Sequence, residues 1–131
     1  MKNIVSRFSK ITGILSVCLA MSSLTSFAQG SGGVGNGKTI SGEVLDMACY
    51  MAKGAHGPDH KDCASSCIKG GSPMGILTSD GKVYLLVENH DKKDAYAEAK
   101  KHAGEQVTVT GTTSEKGGLN GIVVDEVKPK S

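Results

Sequence analysis

"KVYLLVENHDKKDAYAEAKKHAGEQVTVTGTT", residues 82–113, decides the fold. Its two ends, "KVYLLVE" and "EQVTVTGTT", are rich in β-branched residues and read as short strands. Between them, "DKKDAYAEAKKHAG" reads as a helix. Asp91 can cap it with Asp94 three residues on, alanines fill it, Lys100, Lys101 and His102 suit its C-terminal end, and Gly104 stops it.

Outward from that core, "MGILTS" precedes the first of these strands across Asp80-Gly81. This is a hairpin signal, because both residues tolerate positive φ. Further back, "KTISGEVLDMA" is a strand candidate with Ile40, Gly42 and Val44 on one face. On the C-terminal side "LNGIVVDEV" follows across a Glu-Lys-Gly-Gly turn. The order is β-β-β-α-β-β with a long insertion after the first strand. A mainly β chain with its helix between the third and fourth of five strands matches a small OB-like barrel. Tyr96, Ala99 and Ala103 would plug its bottom. An open α+β sheet with the helix on one face is the alternative. No internal repeat or second domain is visible.

The N-terminus has a separate purpose. Lys2, Arg7 and Lys10 make a basic start, residues 11–24 are mostly apolar, and Ser26-Phe27-Ala28 places small residues at −3 and −1. This pattern predicts a signal peptide over residues 1–28 and an exported protein, periplasmic or extracellular, with no stable membrane anchor after cleavage. Leu15-Ser16-Val17-Cys18 is a poor lipoprotein box, since Val17 fits badly and little apolar chain precedes it. Residues 29–37, "QGSGGVGNG", read as a flexible Gly-rich leader, and residues 38–131 as the OB-like domain. Of 15 basic residues three leave with the signal, so 12 remain against 13 acidic ones. The remaining aromatics are Tyr50, Tyr84 and Tyr96. A core so thin in aromatics is often stapled by a disulfide or a metal.

The insertion carries the chemistry. "HGPDHKDCASSCIKGG", residues 56–71, holds two histidines and two cysteines. Asp59 and Asp62 have helix-start spacing, Pro58 fits a first turn, and Gly70-Gly71 stops the chain. A helix over about 59–69 places His60, Cys63 and Cys67 at i, i+3 and i+7, within roughly 60° of one another. Cys49, at the end of the first strand, could close on that stripe. Cys49, His60, Cys63 and Cys67 then form a Cys₃His set of the kind that holds tetrahedral zinc. Three thiolates also suit Cu(I), with His56, Met51, Met74 and Met47 as further soft or borderline donors.

Two other readings stay open. Exported cysteines usually pair, and a Cys49 bridge to Cys63 or Cys67 would staple the loop to the first strand. Cys18 leaves with the signal, so three thiols remain and a single bridge strands one. Alternatively Cys63, in a first helical turn near Lys61, could be a redox-active thiol. C-A-S-S-C is not C-x-x-C, however, and no C-x-x-C-H run marks haem attachment.

The remaining residues exclude more than they assign. His90 and His102 fall at the two ends of the helix and read as structural. Gly75, Gly111 and Gly121 read as barrel bends, since no Gly-rich nucleotide-binding run occurs. No Ser-His-Asp or paired-carboxylate arrangement stands out, so the chain is not read as an enzyme. Near-neutral charge, few stacking aromatics and export argue against nucleic-acid binding.

From Lys38 to Val127 the chain resembles a group of small exported bacterial OB-fold-like proteins of uncharacterised function. The likeness rests on Gly42, Asp46 and Cys49 in "SGEVLDMACY", on "HKDCASSCIKGG" with Gly75 and Leu77 after it, on "DGKVYLL" and on "HAGEQVTVTG". It implies that Cys49, Cys63 and Cys67 act together. The expectation from the whole sequence is an exported binding module for copper or zinc. The alternatives are a disulfide-stapled interaction module meeting an unidentified exported partner, or a thiol-redox protein.

Overall fold

The first strand has to serve two neighbours, and this is what closes the sheet. The computed structural model describes residues 35–130; the expected signal peptide over 1–28, the lipoprotein-like box within it and residues 29–34 of the expected leader lie outside the described residues. β1 runs from Gly35 to Asp46. Its C-terminal half pairs antiparallel with β2 (Met74–Leu77), from Glu43↔Leu77 to Asp46↔Met74. Its N-terminal part pairs antiparallel with β4 (Gln106–Lys116), from Gly35↔Thr113 to Glu43↔Gln106. β1 therefore starts at Gly35, earlier than the alternating pattern from Lys38 indicates.

β3 (Val83–Glu88) pairs antiparallel with β2 and parallel with β5 (Leu119–Pro129), and β5 pairs antiparallel with β4. The result is a closed barrel in the order β1-β2-β3-β5-β4. Its strand count, closure and helix position are those of a small OB-like barrel, and the open-sheet alternative is set aside. Closure demands close backbone approach at Gly42, where an added β-carbon would stand 2.2 Å from the Leu77 carbonyl oxygen. Gly111 is crowded in the same way by the Val123 carbonyl.

The interior is aliphatic. Ile40, Val44, Met74, Ile76, Leu86, Val107, Val109, Ile122 and Val124 are buried, and the described residues include no Phe or Trp. α3 (Lys93–Lys101) closes one end, with Ala99 and Ala103 buried and Tyr96 packed against the core, as the sequence pattern indicates. Its start differs from the expectation. Asp91 does not cap the helix: Lys92 holds the N-cap position without a side-chain cap, and the Asp91 N–H donates to the Asn89 side chain at 2.9 Å in a tight turn. Asn89 also donates to Asp125 on β5 at 2.7 Å, which fixes this turn to the barrel. At the other end His102 lies between Glu105 (2.8 Å) and Glu98 (3.3 Å), in the structural role expected of it. Among the described residues, no helix is long and apolar enough to cross a membrane.

Candidate metal centre

The β1–β2 connection holds two helices where the sequence pattern indicates one. α1 (Met47–Lys53) follows β1 without a break, and α2 (Lys61–Lys69) follows a 3₁₀ turn at Pro58–His60. Cys49 is therefore on a helix and not at a strand end, which corrects the expectation. The cause is local. Asp46 Oδ1 accepts the Ala48 N–H at 3.0 Å, a side-chain cap that ends β1 and starts α1. Gly54, at φ 68°, ends the helix and donates its N–H to the Tyr50 carbonyl at 2.7 Å. The run D-M-A-C-Y-M-A-K-G carries both signals, but the β alternation leading into it hides them.

α2 sits on the barrel through Ala64 and Ile68, both buried in the core. These residues are four apart and share a face. Cys63 and Cys67 are also four apart, one position back, so docking that apolar face turns both thiols toward α1. There the sulfurs of Cys49, Cys63 and Cys67 lie within 4.8 Å of one another. All three are free thiols; Cys63 is exposed while Cys49 and Cys67 are half-buried.

A second group shares Cys49. Donor atoms of Asp46, Cys49 and His60 also lie within 4.8 Å of one another. His60 thus reaches the cluster through Cys49 and Asp46. Asp46 is a site residue that sequence reasoning did not propose, although D-x-x-C places a carboxylate one helical turn before the thiol. It is 1% exposed. Its Oδ1 also accepts the Ser72 hydroxyl, from the segment leading into β2.

The other proposed donors have different surroundings. His56 faces Glu43, 3.8 Å from its carboxylate, and lines a different cleft with Thr78 and Gln106. Met51 is exposed on α1. Met74 is fully buried in the aliphatic core. His56 belongs to the loop after α1, and Met74 to the barrel interior, where it stands opposite Asp46 in the β1–β2 register.

The electrostatics are set by Asp46. Burial disfavours its charged form, but the hydrogen bonds from Ser72 and the Ala48 N–H, with the Cys49 thiol close by, outweigh it and hold the carboxyl below its ordinary value. Asp46 in turn pushes the Cys49 thiol up to about 12, with burial adding to the effect. Cys67 is also pushed up, by burial first and then by Asp46. Lys61, which the redox reading places beside Cys63, is engaged with Glu105 at 2.6 Å. Low-pKa activation is therefore missing at Cys49 and Cys67.

Fold and site together define a closed five-stranded barrel of OB-like topology whose β1–β2 connection carries a thiol-rich donor cluster. No family model, curated protein or solved structure matches the chain.

Proposed function

We propose that this protein is an exported binding module that holds a transition metal ion, zinc or copper, through Cys49, Cys63 and Cys67, with His60 beside them. The observation that carries this reading is the mutual approach of three sulfurs to within 4.8 Å at the meeting of two helices. A Zn–S bond of about 2.3 Å spaces tetrahedral sulfurs about 3.8 Å apart, so the thiols need only a small contraction to grip one ion. Two of them ride on a helix anchored to the core and the third on a capped helix, so the cluster is held from two directions. The exposure of Cys63 gives an ion a path in from solvent.

The same sulfur proximity also favours a second reading, in which two of the three thiols form a disulfide that staples α1 to α2 in an oxidising compartment. Native and denatured mass spectra of the mature protein, purified from such a compartment without affinity-tag histidines, separate the two. Bound zinc or copper with all three cysteines reduced supports the metal module. A chain two hydrogens lighter with no metal overturns it in favour of the stapled scaffold. The thiol-redox reading is the weakest of the three, because Lys61, the cation that would activate Cys63, is engaged with Glu105 at 2.6 Å, and burial and Asp46 raise the neighbouring Cys67 thiol.

A further inference from the structure

Capping explains only half of Asp46. Its Oδ1 is satisfied twice, by the Ala48 N–H at 3.0 Å and by the Ser72 hydroxyl. Its Oδ2 is buried and has no hydrogen-bond partner. The other such side-chain atom among the described residues is His60 Nε2. Buried polar atoms without partners are costly and call for a reason. The two residues that carry these atoms belong to the same triad: Asp46, Cys49 and His60 each offer a donor within 4.8 Å of the other two. An oxygen and a nitrogen left unpaired beside a shared thiol are matched by an ion that accepts all three donor types.

We propose that Asp46 Oδ2 is a metal ligand and that, together with His60, it makes the ion Zn²⁺ in preference to Cu(I). The inference rests on the metal-binding reading above and deepens it. Cu(I) is a soft ion satisfied by two or three thiolates, and a carboxylate oxygen adds little to its binding. Zn²⁺ takes thiolate, imidazole and carboxylate donors together, and it accommodates four ligands or expands to five. The Ser72 hydroxyl and the Ala48 N–H hold Oδ1 and so orient the carboxylate, as outer partners do for ligating side chains.

The test is a competition titration of the purified protein and its Asp46→Asn and Ser72→Ala variants. Each is titrated with Zn²⁺ and, anaerobically, with Cu(I), against chelators of known affinity. Asparagine keeps the side-chain oxygen that accepts from Ala48, and circular dichroism of the metal-free variants reports whether the fold is retained. The expected result for Asp46→Asn is a loss of Zn²⁺ affinity of about 100-fold or more, with Cu(I) affinity changed by less than about threefold. Ser72→Ala, which only loosens the carboxylate, is expected to cost Zn²⁺ about tenfold. Unchanged Zn²⁺ binding in Asp46→Asn overturns Asp46 as a ligand and leaves the metal-binding reading standing. Equal losses for both ions overturn its role in ion choice. A wild-type protein that takes up neither ion overturns the metal-binding reading and this proposal with it. Should Asp46→Asn not fold, zinc X-ray absorption of the wild-type complex decides: two light-atom scatterers beside sulfur are expected, and one or none overturns the assignment.

Discussion

Gly104 and Lys61 meet with no room between them: a β-carbon added at Gly104 would stand 2.8 Å from the Lys61 Cα. Gly104 ends the α3 region at φ 71° and donates its N–H to the Val44 carbonyl of β1 at 2.8 Å. Lys61 is the first residue of the helix that carries Cys63 and Cys67. One glycine thus fixes where the cysteine helix lies relative to the barrel. Gly104→Ala combines a backbone clash with a left-handed conformation that alanine resists, and is expected to cost about 2–4 kcal/mol. Thermal melting checks the loss. Metal uptake is expected to fall with it, because α2 must leave the position that brings its two thiols to Cys49.

Lys61 is also held by charge. Its ammonium lies 2.6 Å from Glu105, and His102 meets the same carboxylate at 2.8 Å. Lys61 first, then His102, holds the Glu105 carboxyl below its ordinary value. A carboxyl lowered on folding contributes stability that is present above its unfolded value, about pH 4.3, and is lost as pH falls through the lower folded value. The melting temperature is therefore expected to drop below about pH 4, and Glu105→Gln to flatten that part of the profile. Melting curves of both proteins from pH 7 to pH 2.5 decide it. An acid limb of equal steepness in the variant removes this pair from the account.

How far the sequence predicts the structure depends on which residues carry local signals. The strands, the Asp80-Gly81 hairpin and the Tyr96, Ala99, Ala103 face follow from period and turn chemistry, which act over a few residues. The closing pair β1–β4 does not, because register between Ile40 and Val109 is decided by packing across the barrel. Within the site, Cys63 and Cys67 were readable as neighbours from helical spacing alone. Cys49 falls at a strand end in the sequence pattern because Ile40 and Val44 set a period of two, and the Asp46 cap breaks it. Asp46 itself was invisible as a site residue: its burial and its unpaired oxygen arise only when Ser72, far along the chain, folds back on it. Sequence proximity of His56 to His60 says nothing about the Glu43 carboxylate that faces it.

Ile68, like Ala64, links the core to the site. It is 1% exposed and lies beside Cys67 in sequence. Ile68→Ala removes its packing against the barrel and is expected to destabilise the protein by about 2–4 kcal/mol. If α2 is positioned by that anchor, metal affinity should fall as well, although no donor has been altered. Chemical denaturation together with a zinc competition titration measures both. Full retention of affinity at reduced stability would mean that α1 and the metal alone organise the thiols.

Protons compete with the ion at this cluster, and the sign of the competition can be stated. Cys49 is pushed up to about 12 and Cys67 is raised as well, so both are protonated at neutral pH without metal. Metal binding must expel these protons, and each one expelled raises apparent affinity about tenfold per pH unit. Between pH 6 and 8 the logarithm of the apparent zinc affinity is therefore expected to climb by about two per pH unit from these two thiols alone. Cys49→Ser should weaken binding and reduce that slope by about one, since one expelled proton is gone. It should also lower the melting temperature of the metal-loaded protein, because α1 loses its tie to α2. Competition titrations at pH 6, 7 and 8 with the wild type and the variant give the slopes. A variant that binds zinc as tightly as the wild type, with the same slope, would remove Cys49 from the shared site.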